Sequence, residues 1–245
     1  MRLSARGVLL GALVVAASAT CVRLGFWQLA RMRYKHALHA AQRALLAQPP
    51  IDVSSALPAT SPEAGRRVRL RGRWEREAQV LLSGRTHLGA AGVSLVNGVR
   101  LDSGELVLVE RGWLPAEDSR TAHPEARPDS AADVTGVALR LERSPHPVPW
   151  APLPSADPRT RSWSARTLDA DSARARFTGT FAPWTVRALP ADARAASEAG
   201  APIPEDYVIP DESMHLSYAI QWFGFAVIIA GGSLALALRR KPAAG

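Results

Sequence analysis

The stretch HLSYAIQWFGFAVIIAGGSLALALRRK, residues 215–241, decides the architecture of this chain. It begins with a histidine and several aromatic residues, continues from 216 to 238 without Asp, Glu, Lys, Arg or His, and ends on three cations. A helix needs about 20 apolar residues to cross a bilayer core of about 30 Å. A buried helix of a soluble protein is the alternative, but an abrupt cationic stop is typical of a membrane span. We therefore predict a transmembrane helix over 216–238.

A second apolar segment lies near the N-terminus, where residues 7–29 predict another transmembrane helix. Arg23 falls near the end of this segment, where a long side chain can reach the membrane interface. A cleavable signal peptide is the alternative, because Arg2 and Arg6 could form its basic start and the sequence AASA could precede a cleavage point. Apolar and aromatic residues resume after Arg23, which favours an uncleaved anchor.

Two spans place both chain ends on one side of the membrane and residues 37–212 on the other. Basic residues after the second span and acidic residues before it predict a cytoplasmic tail over 239–245. The basic residues that follow the first span favour the opposite orientation. Long translocated segments largely escape the charge rule, so we expect the 37–212 domain to lie outside the cytoplasm.

Arginine dominates the charge of the chain, which has 30 basic residues, 22 acidic residues and a net charge of +8. Such an excess can indicate a nucleic-acid-binding protein. No helix-turn-helix, zinc-finger or RNA-binding motif accompanies it, so we expect no nucleic-acid partner. The one cysteine, Cys21, lies in the first predicted span. The outer domain must therefore be stabilised by its core, without a disulfide.

Alternating patterns predict that the outer domain is rich in β-strands. In RRVRLRGRW, residues 66–74, apolar side chains alternate with arginines, which is typical of a half-buried strand. The turn Asp102-Ser103-Gly104 predicts a hairpin between the strands on either side of it. The other predicted elements are strands at 79–85, 93–101, 105–114, 133–142 and 183–189, and a helical segment at 164–176.

These elements predict an α+β membrane protein, in which two terminal helices flank a mainly antiparallel, barrel-like or sandwich domain. Within the strand at 105–114, Gly112 and Trp113 are predicted to have structural roles. The glycine suits a bend or bulge, and the tryptophan suits the domain core.

Catalytic motifs are absent from the sequence. The chain has no P-loop, no GxSxG or HExxH motif and no paired cysteines. His87, His123 and His146 lie in loop-like sequence among glycines and prolines, which is more typical of solvated surface residues than of catalytic bases. We therefore predict that the protein is not an enzyme.

The remaining candidates lie where the two spans meet the outer domain. Trp27, Arg31 and Lys35 follow one another at i, i+4 and i+8 and share one face of the first helix. Tyr218 and Trp222 share a face of the second helix. An aromatic belt is one interpretation, because tryptophan and tyrosine commonly lie at membrane interfaces.

A belt does not explain His215, which shares the helix face of Tyr218 and Trp222. Neutral imidazole is a good axial ligand of haem iron. Aromatic side chains can form the apolar walls of a porphyrin site, and a cation such as Arg31 can meet a propionate. The residues by themselves leave a haem site, with His215 as the iron ligand and Tyr218, Trp222, Trp27 and Arg31 around the porphyrin, as one alternative beside the aromatic belt.

Four blocks of sequence resemble the Surfeit locus protein 1 family. LGFWQLARMRYKHAL (24–38) looks like the exit of the family's first helix, and RVRLRGRWEREAQVLLSGR (67–85) is similar to its first strand pair. ELVLVERGWLP (105–115) resembles a family signature, with Glu110 where asparagine is common. The most specific block is HLSYAIQWFGFA (215–226).

The resemblance implies an inner-membrane protein with two spans, a large periplasmic domain and a role in assembly of cytochrome c oxidase, a haem-copper oxidase. It implies transient binding of haem a at His215, where the family's proposed haem-binding histidine falls, and insertion of haem a into the catalytic oxidase subunit. Haem a synthase and membrane lipids are further expected partners. The lack of a long basic presequence favours a bacterial source. The alternative is a membrane-anchored scaffold that stabilises an assembly intermediate without binding haem.

Overall fold

The computed structural model describes residues 4–122, 131–141, 148–154, 161–190, 201–205, 207 and 213–239. Two compact units form: a helical unit of Met1–Arg43 and Ile209–Gly245, and a barrel unit of Ala44–Val208. Arg2, His123 and His146, which are named above, lie outside the described residues, and so do Arg240 and Lys241, the last two of the three cations that follow the second apolar stretch.

The described part of the chain contains three helices and eight strands. The helices are α1 (Ala5–Ala47), α2 (Ala170–Arg174) and α3 (Ser213–Arg239). The strands are β1 (Ile51–Asp52), β2 (Arg67–His87), β3 (Ala90–Arg100), β4 (Leu106–Pro115), β5 (Ala131–Arg140), β6 (Ala151–Leu153), β7 (Ser162–Ala165) and β8 (Phe181–Ala188).

The terminal helices α1 and α3 are both long and apolar enough to cross a membrane. With the strands between them, they confirm the predicted class of an α+β membrane protein. Helix α1 has 43 residues, which at 1.5 Å per residue gives about 65 Å, roughly twice a bilayer core. It continues through the basic segment after the predicted span 7–29. The span limits 7–29 and 216–238 stay predictions, because the end of a helix does not mark the edge of a membrane.

The barrel unit is built on a closed ring of strands. β2 pairs with β3, β3 with β4, β4 with β8, β8 with β5, and β5 returns to β2. Because the ring closes, the strand edges that an open sheet would expose are paired. Of the two architectures that the sequence predicted, barrel-like or sandwich, the structure therefore has the barrel. The pairing of β4 with β8 is parallel, whereas the other pairings in the ring are antiparallel.

Strand β2 combines two strands that the sequence predicted separately. It runs without interruption from Arg67 to His87, with a register shift between Glu75 and Gln79. Its first part pairs with β5, and its later part pairs with the parallel strand β7. The irregularity bends the strand, so that one segment can belong to the ring and to the extension formed by β7 and β6.

The alternation in the first part of β2 is confirmed by burial. Val68 and Leu70 are fully buried, whereas Arg69 and Arg71 are exposed. On the outer face, Arg69 forms an ion pair of 2.6 Å with Asp133 on β5. Hydrogen bonding to the Arg69 guanidinium holds the pKa of the Asp133 carboxyl below its ordinary value. Cross-strand charge pairs of this kind help to define strand register.

The predicted helical segment at 164–176 is only partly correct. Its first residues, Ser164 and Ala165, belong to β7, where they pair with Leu81 and Leu82 of β2. Helix formation begins only at α2, after Asp169 accepts hydrogen bonds from the backbone N–H groups of the first turn. Strand pairing with a distant segment therefore overrides the local helical preference.

Apolar side chains pack on both faces of the sheet. The ring encloses a cluster from β2, β3, β4, β5 and β8 that is centred on Val68, Leu70, Val99, Val107 and Val186. On the other face of β3 and β4, residues such as Val96 and Leu108 pack against Trp150 and Phe177, next to α2. Successive side chains of β3 and β4 point to opposite faces of the sheet, and each face packs against its own apolar cluster. Both faces are therefore buried, which explains why these strands are apolar throughout.

A bulge in β4 explains the glycine–tryptophan pair. Leu95 of β3 pairs with Gly112 and Val96 pairs with Glu110, so that Arg111 is the extra residue of the bulge. Gly112 has φ of 139°, and Trp113 is buried and forms an antiparallel bridge with Ile203. The predicted structural roles of Gly112 and Trp113 are confirmed.

Glu110, which departs from the asparagine common in the resembling family, has a local partner. Its carboxylate accepts a hydrogen bond of 2.9 Å from Nε of Arg187, on the neighbouring strand β8. Glu110 is buried and Arg187 is half-buried. A buried carboxylate requires such a partner, and Arg187 supplies it within the barrel.

Candidate functional site

A narrow seam joins α1 and α3 within the helical unit. The seam contains the contact of Gly25 on α1 with Phe223 on α3. Buried residues on these parts of the two helices are Cys21 and Gly25 on α1, and Ala219 and Ala226 on α3. The spacing of four and seven residues keeps each pair on one helix face. Small residues let two helix backbones approach closely inside a membrane, where packing rather than the hydrophobic effect drives association.

Gly25 of α1 lies against the ring of Phe223 of α3. A Cβ atom at this position would lie 2.6 Å from Cε1 of Phe223 on α3. The ring of Phe223 also makes an edge-to-face contact with Phe26, with ring centroids 5.3 Å apart. The absence of a side chain at Gly25 therefore creates the space that Phe223 occupies.

Replacing Gly25 with leucine should loosen the helical unit. The new side chain must displace Phe223 and break its contact with Phe26, so we expect the detergent-purified protein to melt several degrees lower by circular dichroism. Gly11→Leu is the matched control, because a Cβ at Gly11 meets no atom within 4 Å and should leave the melting temperature near that of the wild type. Equal melting of the two variants would contradict the assigned packing at Gly25.

His215 lies at the start of α3 and reaches across the seam. Its Nδ1 atom is 3.0 Å from Oε1 of Gln28 on α1. An amide oxygen can only accept, so this partner assigns the proton to Nδ1 and leaves the lone pair on Nε2. Ligand histidines usually donate their second ring N–H in this way, which fixes the ring and its tautomer. The His215 and Gln28 pair therefore fits the requirements of an axial haem ligand.

The other predicted site residues do not join His215 directly. Tyr218 and Trp27 are largely exposed, Trp222 makes an edge contact with Phe225, and Arg31 lies 5.7 Å above the ring of Tyr34. Within the described residues, no hydrogen bond, ion pair or ring contact connects His215 with any of the four predicted neighbours. Their assignment to a haem site stays a prediction.

Two residues of the seam were missed by the sequence analysis. Gln28 is the side-chain hydrogen-bond partner of the His215 ring, and Gly25 leaves the space that Phe223 occupies. Both lie within the block at 24–38 that carried the family resemblance. The sequence did contain a signal for them. Gly25 and Gln28 are three residues apart in an apolar helix, and small and polar residues often lie at helix contacts in membranes.

The described residues contain no group of three or more His, Cys, Asp or Glu side chains that could bind a metal ion. A haem needs less from the protein, since the porphyrin supplies four nitrogen ligands and the protein only an axial one. His215 has one imidazole nitrogen of this kind, and its assignment as an axial ligand stays a prediction.

Comparison with known proteins gives a family match over most of the chain. The model of the SURF1 family matches residues 15–227, a range that includes Gly25, Gln28 and His215. A SURF1-like protein of Rickettsia felis is 26% identical over 211 residues, which cover 84% of this chain and 87% of that protein. A SURF1-like protein of Rickettsia bellii is 25% identical over 207 residues, covering 84% and 81%.

A yeast relative has a more informative name. The cytochrome oxidase assembly protein SHY1 of Saccharomyces cerevisiae is 30% identical over 147 residues, which cover 57% of this chain and 37% of that protein.

Proposed function

Because the chain belongs to the SURF1 family, we propose that it acts in the assembly of a haem-copper cytochrome oxidase. In this proposal it binds haem a and assists its insertion into the catalytic subunit. The role in assembly is supported by the similarity to the yeast assembly protein. The role in haem binding is supported by the contact between His215 and Gln28.

The surroundings of His215 suit a haem that is bound reversibly and then released. Gln28 holds Nδ1, so that Nε2 is free to bind iron in a fixed orientation. A single axial bond from a half-buried histidine gives less retention than the two axial ligands of many resident haems. The exposed rings of Trp27 and Tyr218 offer apolar contact without enclosing the cargo. Arg31 is exposed and would meet a propionate.

The proposed setting follows from this role. The catalytic subunit of the oxidase receives the haem, haem a synthase is the expected donor, and membrane lipids surround α1 and α3. The proposed location is the inner membrane, with the barrel unit in the periplasm. Binding and release of a cofactor require no covalent chemistry by the protein, so the proposal does not include enzymatic activity.

Two measurements test the proposal. A strain that lacks this protein should contain less assembled oxidase, measured as haem a absorbance in its membranes. The protein purified in detergent from cells that make haem a should carry a haem absorption spectrum. Normal oxidase content in the deletion strain would contradict the role in assembly, whereas purified protein without haem would contradict haem binding alone.

A scaffold without haem is the second candidate, and the same contact favours it. Hydrogen bonds between side chains of neighbouring helices stabilise membrane proteins, so His215 and Gln28 could serve only to join α1 and α3. The scaffold predicts a deletion strain that lacks oxidase and a purified protein that lacks haem. The two measurements therefore distinguish the candidates.

The proposed orientation is tested with a reporter fused after Gly245. We expect a reporter that is active only in the cytoplasm to work there, because a cationic segment directly after an apolar span resists translocation. The matched control is the same reporter inserted in the turn at Ser103, which should be inactive if the barrel unit is periplasmic. Periplasmic activity at the C-terminus would reverse the orientation.

A further inference from the structure

A cluster of cations directly follows the predicted first span on α1. Its members are Arg31, Arg33 and Lys35, which we call the basic collar. Arg31 and Arg33 are exposed, and Lys35 is half-buried. Under the proposed orientation, these cations lie on the side of the membrane where the charge rule disfavours them. The proposed function uses only Arg31 of the three, so the rest of the collar needs another explanation.

The helix fixes the depth of the basic collar. α1 is unbroken from Ala5 to Ala47, so the distance along its axis follows from residue number. Measured from residue 29, where the predicted span ends, the three cations lie about 3, 6 and 9 Å farther along the axis. Helical side chains tilt toward the N-terminus of their helix, which here is the direction of the membrane. The headgroup layer outside a bilayer core is about 5–8 Å thick, so these positions place the three charges at the depth of the lipid phosphates.

The described helical unit supplies no counter-charge to the basic collar. Residues 4–43 and 213–239 contain no Asp or Glu. The guanidinium of Arg31 lies 5.7 Å from the ring centre of Tyr34, a contact that leaves its positive charge uncompensated. In the barrel unit, by contrast, the exposed Arg69 forms an ion pair of 2.6 Å with a carboxylate. The charge of the collar is therefore available to an anion from outside the described helical unit.

The basic collar faces two sides of α1. Lys35 follows Arg31 by about one turn and shares its face. Arg33 is two residues from each of them, which places it about 160° away around the helix axis. A protein partner or a single small anion meets one face of a helix, whereas lipid headgroups surround all the faces that a transmembrane helix exposes. Charges on two opposite faces at one depth therefore favour lipids as the source of the anions.

We propose that the basic collar binds the phosphate groups of anionic phospholipids, in the leaflet at the C-terminal end of the α1 span. Cations near a membrane surface attract anionic lipids, and the contributions of neighbouring cations add. The collar thereby holds α1 at a fixed depth, together with Trp27 and Tyr34, which are exposed on either side of Arg31 and suit aromatic anchors at the interface. The inference depends neither on haem binding nor on the direction in which the chain crosses the membrane.

Lipid retention by the full chain, purified in detergent, tests the proposal. The protein is equilibrated with equal amounts of phosphatidylglycerol and phosphatidylcholine, and native mass spectrometry counts the molecules of each lipid that stay bound. We expect the wild type to prefer phosphatidylglycerol by about tenfold and Arg33→Gln/Lys35→Gln by less than about twofold, because each cation near an anionic surface contributes about fivefold in affinity. Arg31 is left in place, because the proposed function assigns it to a propionate.

Two matched variants separate the basic collar from net charge and from folding. Arg43→Gln/Arg73→Gln removes the same charge at two exposed positions, one of them about 21 Å beyond residue 29 and the other in the barrel unit, and should keep the preference. Arg33→Lys/Lys35→Arg preserves the charge and should keep it as well.

Three results would overturn the proposal: equal retention of the two lipids by the wild type, an equal effect of the two glutamine double variants, or displacement of phosphatidylglycerol by millimolar inorganic phosphate. The last result would assign the collar to a free anion. None of these measurements involves the oxidase or haem, so their failure leaves the proposed function intact.

Discussion

His215→Ala is expected to abolish the haem spectrum of the purified protein, or to shift its Soret band, while leaving the fold intact. The change removes the axial nitrogen. It also removes the hydrogen bond to Gln28, but the seam at Gly25 and Phe223 remains. We therefore expect unchanged abundance and a melting temperature within a few degrees of the wild type. Absorption spectroscopy and circular dichroism of the same sample measure both effects.

Variants around the ligand should have graded effects. Gln28→Ala keeps the iron ligand but frees its ring, and loss of such a hydrogen bond typically weakens metal sites by about 10–100-fold. Trp222→Ala removes an apolar wall and should weaken binding less than His215→Ala. Arg31→Ala should lower retention if the guanidinium meets a propionate. His87→Ala, a histidine substitution in the barrel unit, is the control and should leave the spectrum unchanged.

The outcome decides between the two proposed functions. A full haem spectrum with normal occupancy in His215→Ala would remove the ligand assignment. Protein that lacks haem in both wild type and variant, with oxidase still dependent on the protein, would favour the scaffold.

Gly112→Val is expected to have the largest effect on stability. At φ of 139° a β-branched residue is strained, at a cost of about 1–3 kcal/mol. The added Cβ would also overlap the carbonyl group of Ile203, which is backbone and cannot move aside. The paired bonds between Trp113 and Ile203, of 2.7 and 2.8 Å, would break. We expect a several-fold fall in steady-state abundance, measured by immunoblot, before any effect on haem.

Gly104→Ala is the matched control for Gly112→Val. Gly104 also has a positive φ, of 89°, but a Cβ there meets no atom within 4 Å. Its substitution should cost only the strain of the turn and leave abundance close to normal. Normal abundance of Gly112→Val with failed oxidase assembly would show instead that this end of β4 contacts a partner.

Local patterns in the sequence were sufficient for the C-terminal helix and for the first half of β2. The apolar run at 216–238 predicts a helix that crosses a membrane, because its length matches a bilayer and its composition excludes a solvated surface. The alternation of Val68 and Leu70 with arginines predicts a half-buried strand, and the strand is observed. Both signals are contained in neighbouring residues and need no knowledge of the rest of the chain.

Strand pairing between distant segments was not predictable in this way. The parallel contact of β4 with β8 joins Leu108 to Thr185, and only the closed ring brings these segments together. Pairing with β3 and β7 runs through two separately predicted strands and makes them the single strand β2. Pairing with β2 also places Ser164 and Ala165, which were predicted to be helical, in β7. Local preference is a weak term, and the pairing of backbone groups in a sheet outweighs it.

His215 was predicted as a site residue from the sequence, because it lies at the start of an apolar helix and in the block 215–226 that carries the most specific family resemblance. Its partner Gln28 was not, because the register between α1 and α3 depends on where Phe223 meets Gly25. Periodicity assigns residues to a face of one helix, but it contains no information about the height at which a second helix packs. The axial offset between α1 and α3 is set by how their side-chain surfaces fit together. That offset places Gln28 next to Nδ1 of His215.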